Sequence, residues 1–161
     1  MDSLDMGRCF AVLHRRSQFF IAEACESLGI TYLEYVALTH LYREEGISQE
    51  ELAASLYLDK AIVARTVGLL EKKEWVRREK DPVDRRMKRV YLTELAIGQK
   101  DYLLGVLQAW INYLMEGMTP EEAEASTRGF RRLAGRAARA NIAELTRSVE
   151  EKARSKQTEG K

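Results

Sequence analysis

Residues 48–93 read SQEELAASLYLDKAIVARTVGLLEKKEWVRREKDPVDRRMKRVYLT, and the order of elements in this stretch decides the fold. Ser48 and Glu51 have the S-x-x-E spacing of a capping box, in which the Ser oxygen accepts an orphan backbone N–H and the Glu reaches back to the cap. A helix is therefore predicted from about Gln49. Asp59 offers a second N-cap, and Ile62, Val63, Thr66, Val67, Leu69 and Leu70 follow at helical spacing. Burying Val63, Val67 and Leu70 leaves Lys60, Ala61, Ala64, Arg65 and Gly68 on or beside the opposite face. Short side chains with two cations allow close approach to a large surface, as a recognition helix requires in a major groove.

The next residues alternate. Trp75 to Glu79 reads as a strand, Lys80 to Arg86 as a turn holding Pro82, and Lys88 to Leu92 as a returning strand. Between residues 59 and 92 there are eleven Lys and Arg against six Asp and Glu, a local net of +5 in a chain whose overall charge is +1. Positive charge is concentrated on this segment.

The series of capped helix, second helix, D-P-x-D-R-R and V-x-L-T resembles the MarR family of bacterial winged helix-turn-helix transcription regulators. The matching residues are Asp81, Pro82, Asp84, Arg85, Arg86, Val90, Leu92 and Thr93. Glu74 stands where a Gly commonly closes the recognition helix, which suggests a differently shaped helix end, and Ala96 stands where a Gly commonly follows the L-T. The resemblance implies a mainly α fold with a small β-hairpin wing. It further implies one unit over 1–161, with a winged-helix DNA-binding lobe at 31–93, dimerisation helices at 1–30 and 94–149, and a frayed tail at 150–161.

Composition agrees with a helix-rich globule: 161 residues, 45% apolar, with ten Gly and two Pro. Cys9 and Cys25 make neither a disulfide framework nor a metal-ligand spacing. With no signal-peptide pattern and no long apolar run, a cytoplasmic protein without a membrane partner is expected. His14 and His40 lack acidic or thiol partners at catalytic or metal spacing, and no phosphate loop occurs, so neither enzyme activity nor a cofactor is expected.

Along the rest of the chain, periodicity predicts a first helix from about Gly7 to Ser27, closed by Gly29. Thr31 and Glu34 make a second capping box for a helix reaching about Glu45. Residues 23–51 hold seven acids and one base, a surface expected to turn away from phosphate. Thr93 caps a long helix to about Glu116, and Thr119-Pro120 starts a last one to about Val149. Their apolar bands exceed what a small lobe can hide. A two-fold partner would cover them and set two recognition helices about 34–36 Å, or a multiple, apart over a palindromic operator in double-stranded DNA.

By position, Lys60, Ala61 and Arg65 face the groove and Thr66 reaches a phosphate or thymine methyl, with Arg65 the base reader. The resemblance gives Arg86 minor-groove insertion, with Arg85 beside it, and Asp84 the task of orienting Arg86 through Arg78. Ser48 and Gln49 are candidates for phosphate contact at a helix N-terminus. Lys72, Lys73, Lys88 and Arg89 are assigned to backbone positioning or to solvent. Many family members respond to a small, often aromatic acid. Tyr32, Tyr35, His40, Trp110 and Tyr113 are the candidate lining here, with ordinary core or interface as the plainer role. Cys9-Phe10 resembles the sensor of a thiol-based branch of the family. The Cys lies about two residues nearer Tyr32 than in that branch, however, a rotation of roughly 200° on an ideal helix, which favours a packed, inert thiol. Two alternatives to a ligand-responsive repressor are therefore a thiol-based redox regulator using Cys9, and a winged-helix protein-interaction module that does not bind DNA.

Overall fold

Side-chain oxygens set the helix starts. Asp2, Thr31, Ser48, Asp59, Thr93 and Thr119 each accept a backbone N–H, and Thr31/Glu34, Ser48/Glu51 and Thr119/Glu122 close reciprocal capping boxes. The computed structural model describes the backbone of residues 2–159 and the side chains of residues 2–155. In order, the elements are α1 (Ser3–Ala24), a 3-10 turn (Glu26–Leu28), α2 (Tyr32–Leu41), β1 (Ile47–Ser48), α3 (Gln49–Leu56), α4 (Lys60–Lys72), β2 (Val76–Lys80), β3 (Lys88–Leu92), α5 (Glu94–Gly98), α6 (Lys100–Met115), α7 (Pro120–Ala138) and α8 (Ile142–Glu159).

The chain divides into two compact units, Met1–Glu116 and Gly117–Lys161, where the sequence suggests one. In the first unit, α2, α3, α4 and the sheet enclose Leu38, Leu41, Leu52, Val63, Val67, Leu70, Val76 and Val90, all fully buried or nearly so. Tyrosines tie α6 and its approach to this core. Tyr35 Oη donates to the Leu103 carbonyl at 2.9 Å and Tyr42 Oη to that of Ala96 at 2.6 Å. Burial pushes both phenols up to about 12. The sheet is antiparallel in the order β1-β3-β2, with Val76 opposite Leu92, Lys80 opposite Lys88 and Ile47 opposite Val90. The two-residue β1, too short to show alternation, makes it three-stranded.

Several boundaries differ from expectation. Helix α2 ends at Leu41 rather than near Glu45, and the Glu45 carboxylate folds back to accept the Leu92 N–H at 2.8 Å. The long helix after Thr93 is interrupted at Gln99, one residue after Gly98, whose missing Cβ weakens the helix there. Beyond Thr119 there are two helices, because Asn141 Oδ1 accepts the Glu144 N–H at 3.2 Å and starts α8 anew. Residues 150–159 continue α8, where the sequence suggests a frayed tail; residues 160 and 161 lie outside the described part. Glu74 keeps the left-handed shape of a closing Gly, at φ 61°, which corrects the expected altered end. The Trp75 N–H closes the α4 terminus on the Leu70 carbonyl at 2.9 Å, and a non-Gly residue costs about 1 kcal/mol in that conformation.

Candidate nucleic-acid interface

Helix α4 and the β2–β3 wing carry the concentrated charge, and ion pairing sorts it. Five of the eleven cations between residues 59 and 92 have acidic partners: Lys60 with Glu50 at 2.8 Å, Lys73 with Glu34 at 2.7 Å, Arg77 with Glu79, Arg78 with Glu71 and Arg89 with Asp81. The other six, Arg65, Lys72, Lys80, Arg85, Arg86 and Lys88, make no ion pair among the described residues and are exposed. Lys80 and Lys88 face each other on the last rung of the wing, where like charges repel and a bound anion offsets them.

The wing is held from its base. Asp81 is buried, and its Oδ1 accepts the N–H groups of Val83 at 2.7 Å and Asp84 at 2.9 Å while Oδ2 pairs with Arg89. Those N–H groups, led by Asp84, and the Arg89 guanidinium hold the carboxyl below its usual range. Arg89 in turn donates from Nη1 to the Gly46 carbonyl at 2.7 Å, joining the wing to the approach of β1. Asp84 Oδ1 accepts the Arg86 N–H at 3.0 Å. Asp84 therefore organises the backbone beside Arg86 directly, not through Arg78. The Arg78 guanidinium is committed to Glu71 at the end of α4, Nε donating at 3.0 Å, and this contact lowers the Glu71 carboxyl.

Of the groove residues, Lys60, Ala61 and Arg65 are exposed on α4, but Thr66 is turned inward. It is 8% exposed, and its hydroxyl donates to the Ile62 carbonyl at 2.9 Å, because it lies one position from Val67 on the buried stripe. Ser48 is also unavailable: it is buried, its N–H donates to Glu51 Oε2 at 2.7 Å, and its hydroxyl caps α3. Gln49 beside it is half-buried.

Lys73 and Arg89, each partly exposed, are committed to internal partners. Lys73 Nζ lies 2.7 Å from both the Gly29 carbonyl and Glu34 Oε1, and Glu34 is 1% exposed. Burial pushes the Glu34 carboxyl up, but hydrogen bonds from Lys73 and Thr31 outweigh it and the net shift is downward. Three of the seven acids in residues 23–51, Glu34, Glu45 and Glu51, are engaged internally, and Glu50 sits beside Lys60 rather than away from the basic face. Sequence signals for Asp81 existed in its Asx-Pro turn pattern. Pairing between residues far apart in the chain, such as Glu34 with Lys73, left no local signal.

The five candidate effector residues do not come together. Tyr35 is tied to α6, Tyr32 packs edge-on to His14 at 6.3 Å, and His40 Nε2 has no hydrogen-bond partner, with Glu44 3.9 Å away. Trp110 and Tyr113 do meet. Phe20, Trp110 and Tyr113 stack at 5.1 and 5.7 Å on an α1–α6 groove of about 470 Å³ that also contains Arg16. Cys9 is exposed, not packed, whereas Cys25 is buried and burial pushes its thiol up.

The MarR family pattern matches residues 30–88. The crystal structure of a MarR protein is 30% identical over 86% of this chain and 95% of its own, with a TM-score of 0.78. The chain belongs to the MarR family. Transcription regulators, not enzymes, make up this family. The HTH-type transcriptional regulator TtmR of Methylorubrum extorquens (strain PA1) is 35% identical over 103 residues, which cover 62% of this chain and 52% of TtmR, so the chain spans about half the length of that relative. A MarR-family regulator from Listeria monocytogenes, solved with a 26mer DNA, shares the fold at a TM-score of 0.78 and 19% identity, over 86% of this chain and 90% of its own. The MarR-type winged helix thus comprises α2 to β3 here, and no helix among the described residues is long and apolar enough to cross a membrane.

Proposed function

We propose that this protein is a sequence-specific, double-stranded DNA-binding transcription regulator, acting as a homodimer on a palindromic operator and released by a small-molecule effector. The observation that carries the DNA reading is the sorting of charge. Cations that stabilise the lobe are paired with acids, while Arg65 on α4 and Lys80, Arg85, Arg86 and Lys88 on the wing are left exposed for phosphate and base edges. The names of the relatives, and the DNA in the Listeria structure, support the same reading. Arg65 reads a base in the major groove, and Arg86, its backbone fixed by Asp84, enters the minor groove.

Dimerisation is assigned to helices within 1–30 and 94–149, leaving 31–93 as the DNA-binding lobe. The support is exposed apolar surface on α1, α6, α7 and α8, including Phe19, Leu107, Phe130, Leu133 and Leu145. The α1–α6 groove, with its aromatic stack and Arg16, suits an aromatic acid. Selection from a random duplex library, followed by anisotropy across a salt series, tests the DNA reading. Recovery of an inverted repeat is expected, with affinity falling steeply as salt rises. No retention on any duplex at low salt overturns it.

A further inference from the structure

The turn between α3 and α4 contains a residue whose identity folding does not account for. Tyr57 closes α3 in the left-handed conformation, at φ 54° and ψ 37°. The turn requires this shape, since the Leu58 N–H reaches the Ala53 carbonyl at 3.1 Å and the Tyr57 N–H reaches that of Ala54 at 3.2 Å. Glycine adopts it freely, whereas a Cβ crowds the neighbouring carbonyl. A large side chain can offset that strain by burying its ring. Tyr57 does not: it is 71% exposed, and its hydroxyl has no partner among the described residues.

Position supplies what packing does not. Tyr57 stands two residues before Asp59, the cap of α4. In a helix-turn-helix the second helix points its N-terminal residues at base edges while the first crosses the phosphate backbone, so the turn between them travels close to phosphate. A phenolic O–H is a phosphate donor that adds no charge. We propose that Tyr57 is a DNA-contacting residue whose hydroxyl donates to a backbone phosphate where α4 enters the groove. This rests on α4 being the recognition helix. The contact fixes register without reading sequence, and strain held at a binding position fits the general placement of such conformations at functional sites.

The test measures folding and binding side by side, because a structural role moves both in the same direction and a contact role moves them apart. Tyr57→Gly should raise the melting temperature by about 2–4 °C, as the strain is relieved. The same variant should bind a fluorescein-labelled random-sequence duplex about ten-fold more weakly. Tyr57→Phe keeps ring and strain, so it should melt like the parent and still lose a comparable factor. Its slope of log affinity against log salt should be unchanged, since no counterion-releasing cation is lost. Glu74→Gly relieves the same conformation at the far end of α4 and should stabilise without weakening DNA binding. Parent protein that binds no duplex at low salt refutes the recognition-helix reading and the proposal with it. Parent protein that binds while Tyr57→Phe binds equally well overturns the Tyr57 contact alone.

Discussion

The winged lobe and the C-terminal helix pair use the same device, apolar residues at helical spacing, with opposite results. In the lobe, Val63, Val67 and Leu70 of α4 vanish beneath α2 and the sheet. In α7 and α8, by contrast, none of the described side chains is buried, and Phe130, Leu133, Ile142, Leu145 and Val149 are all exposed. The difference teaches that amphipathic periodicity specifies a helix and the side it will bury, but not what covers that side. The lobe finds its cover within its own sequence. The helix pair does not, which is the physical basis for assigning it to assembly.

The sharpest way to break this comparison is to attack the lobe's internal charge. Lys73→Met leaves Glu34 buried and unpaired, and should cost about 3–5 kcal/mol in urea unfolding. The pH dependence follows from the downward shifts of Glu34, Glu71 and Asp81. Carboxyls bound more strongly as anions in the folded state contribute stability that is complete above their unfolded values, about 4, and is lost as pH falls through the lower folded values. Melting of the parent should therefore decline below about pH 4. In Lys73→Met the Glu34 part of that decline should shrink, since burial raises the carboxyl and only the Thr31 hydrogen bonds remain to lower it. An identical acid profile in both proteins would show that the pair is not the source.

Truncating a leucine in each region comes next. Leu70→Ala should cost about 2–5 kcal/mol whatever the protein concentration. Leu145→Ala should act chiefly through the concentration dependence of melting, as expected of a side chain covered only on association. Concentration-independent losses of equal size would erase the distinction. Smaller effects separate two of the unpaired cations by the kind of contact proposed for each. Arg86→Ala should weaken operator binding by about 1–3 kcal/mol, measured by anisotropy. Lys88→Ala should do less to affinity at moderate salt and reduce the salt slope by about one unit.

Much of the lobe was readable because its signals are local. Ser48/Glu51, Thr31/Glu34, Asp59 and Thr93 cap helices as their spacing predicts, and the wing strands fall within a residue of the alternating pattern. Local reading failed where partners are distant. Nothing near Glu34 announces Lys73, and nothing near Arg89 announces Asp81 together with Gly46. A count of charge also leaves in the positive face five cations that internal pairing takes up. Thr66 shows a different limit: an angular error of one position on a helix decides whether a hydroxyl meets solvent or the preceding turn. At Asn141 the signal is local, since Asn-x-x-Glu is itself a start pattern, and it divides α7 from α8.

Strand β1 ends where α3 begins, and Ser48 belongs to both: it pairs with Arg89 across the sheet and caps the helix with its side chain. Wing and helix-turn-helix are thereby welded at one residue, with Arg89 and Gly46 as a second bolt. The root of the wing and the start of α3 therefore share their hydrogen bonds, and a change at the β1–α3 junction reaches both at once.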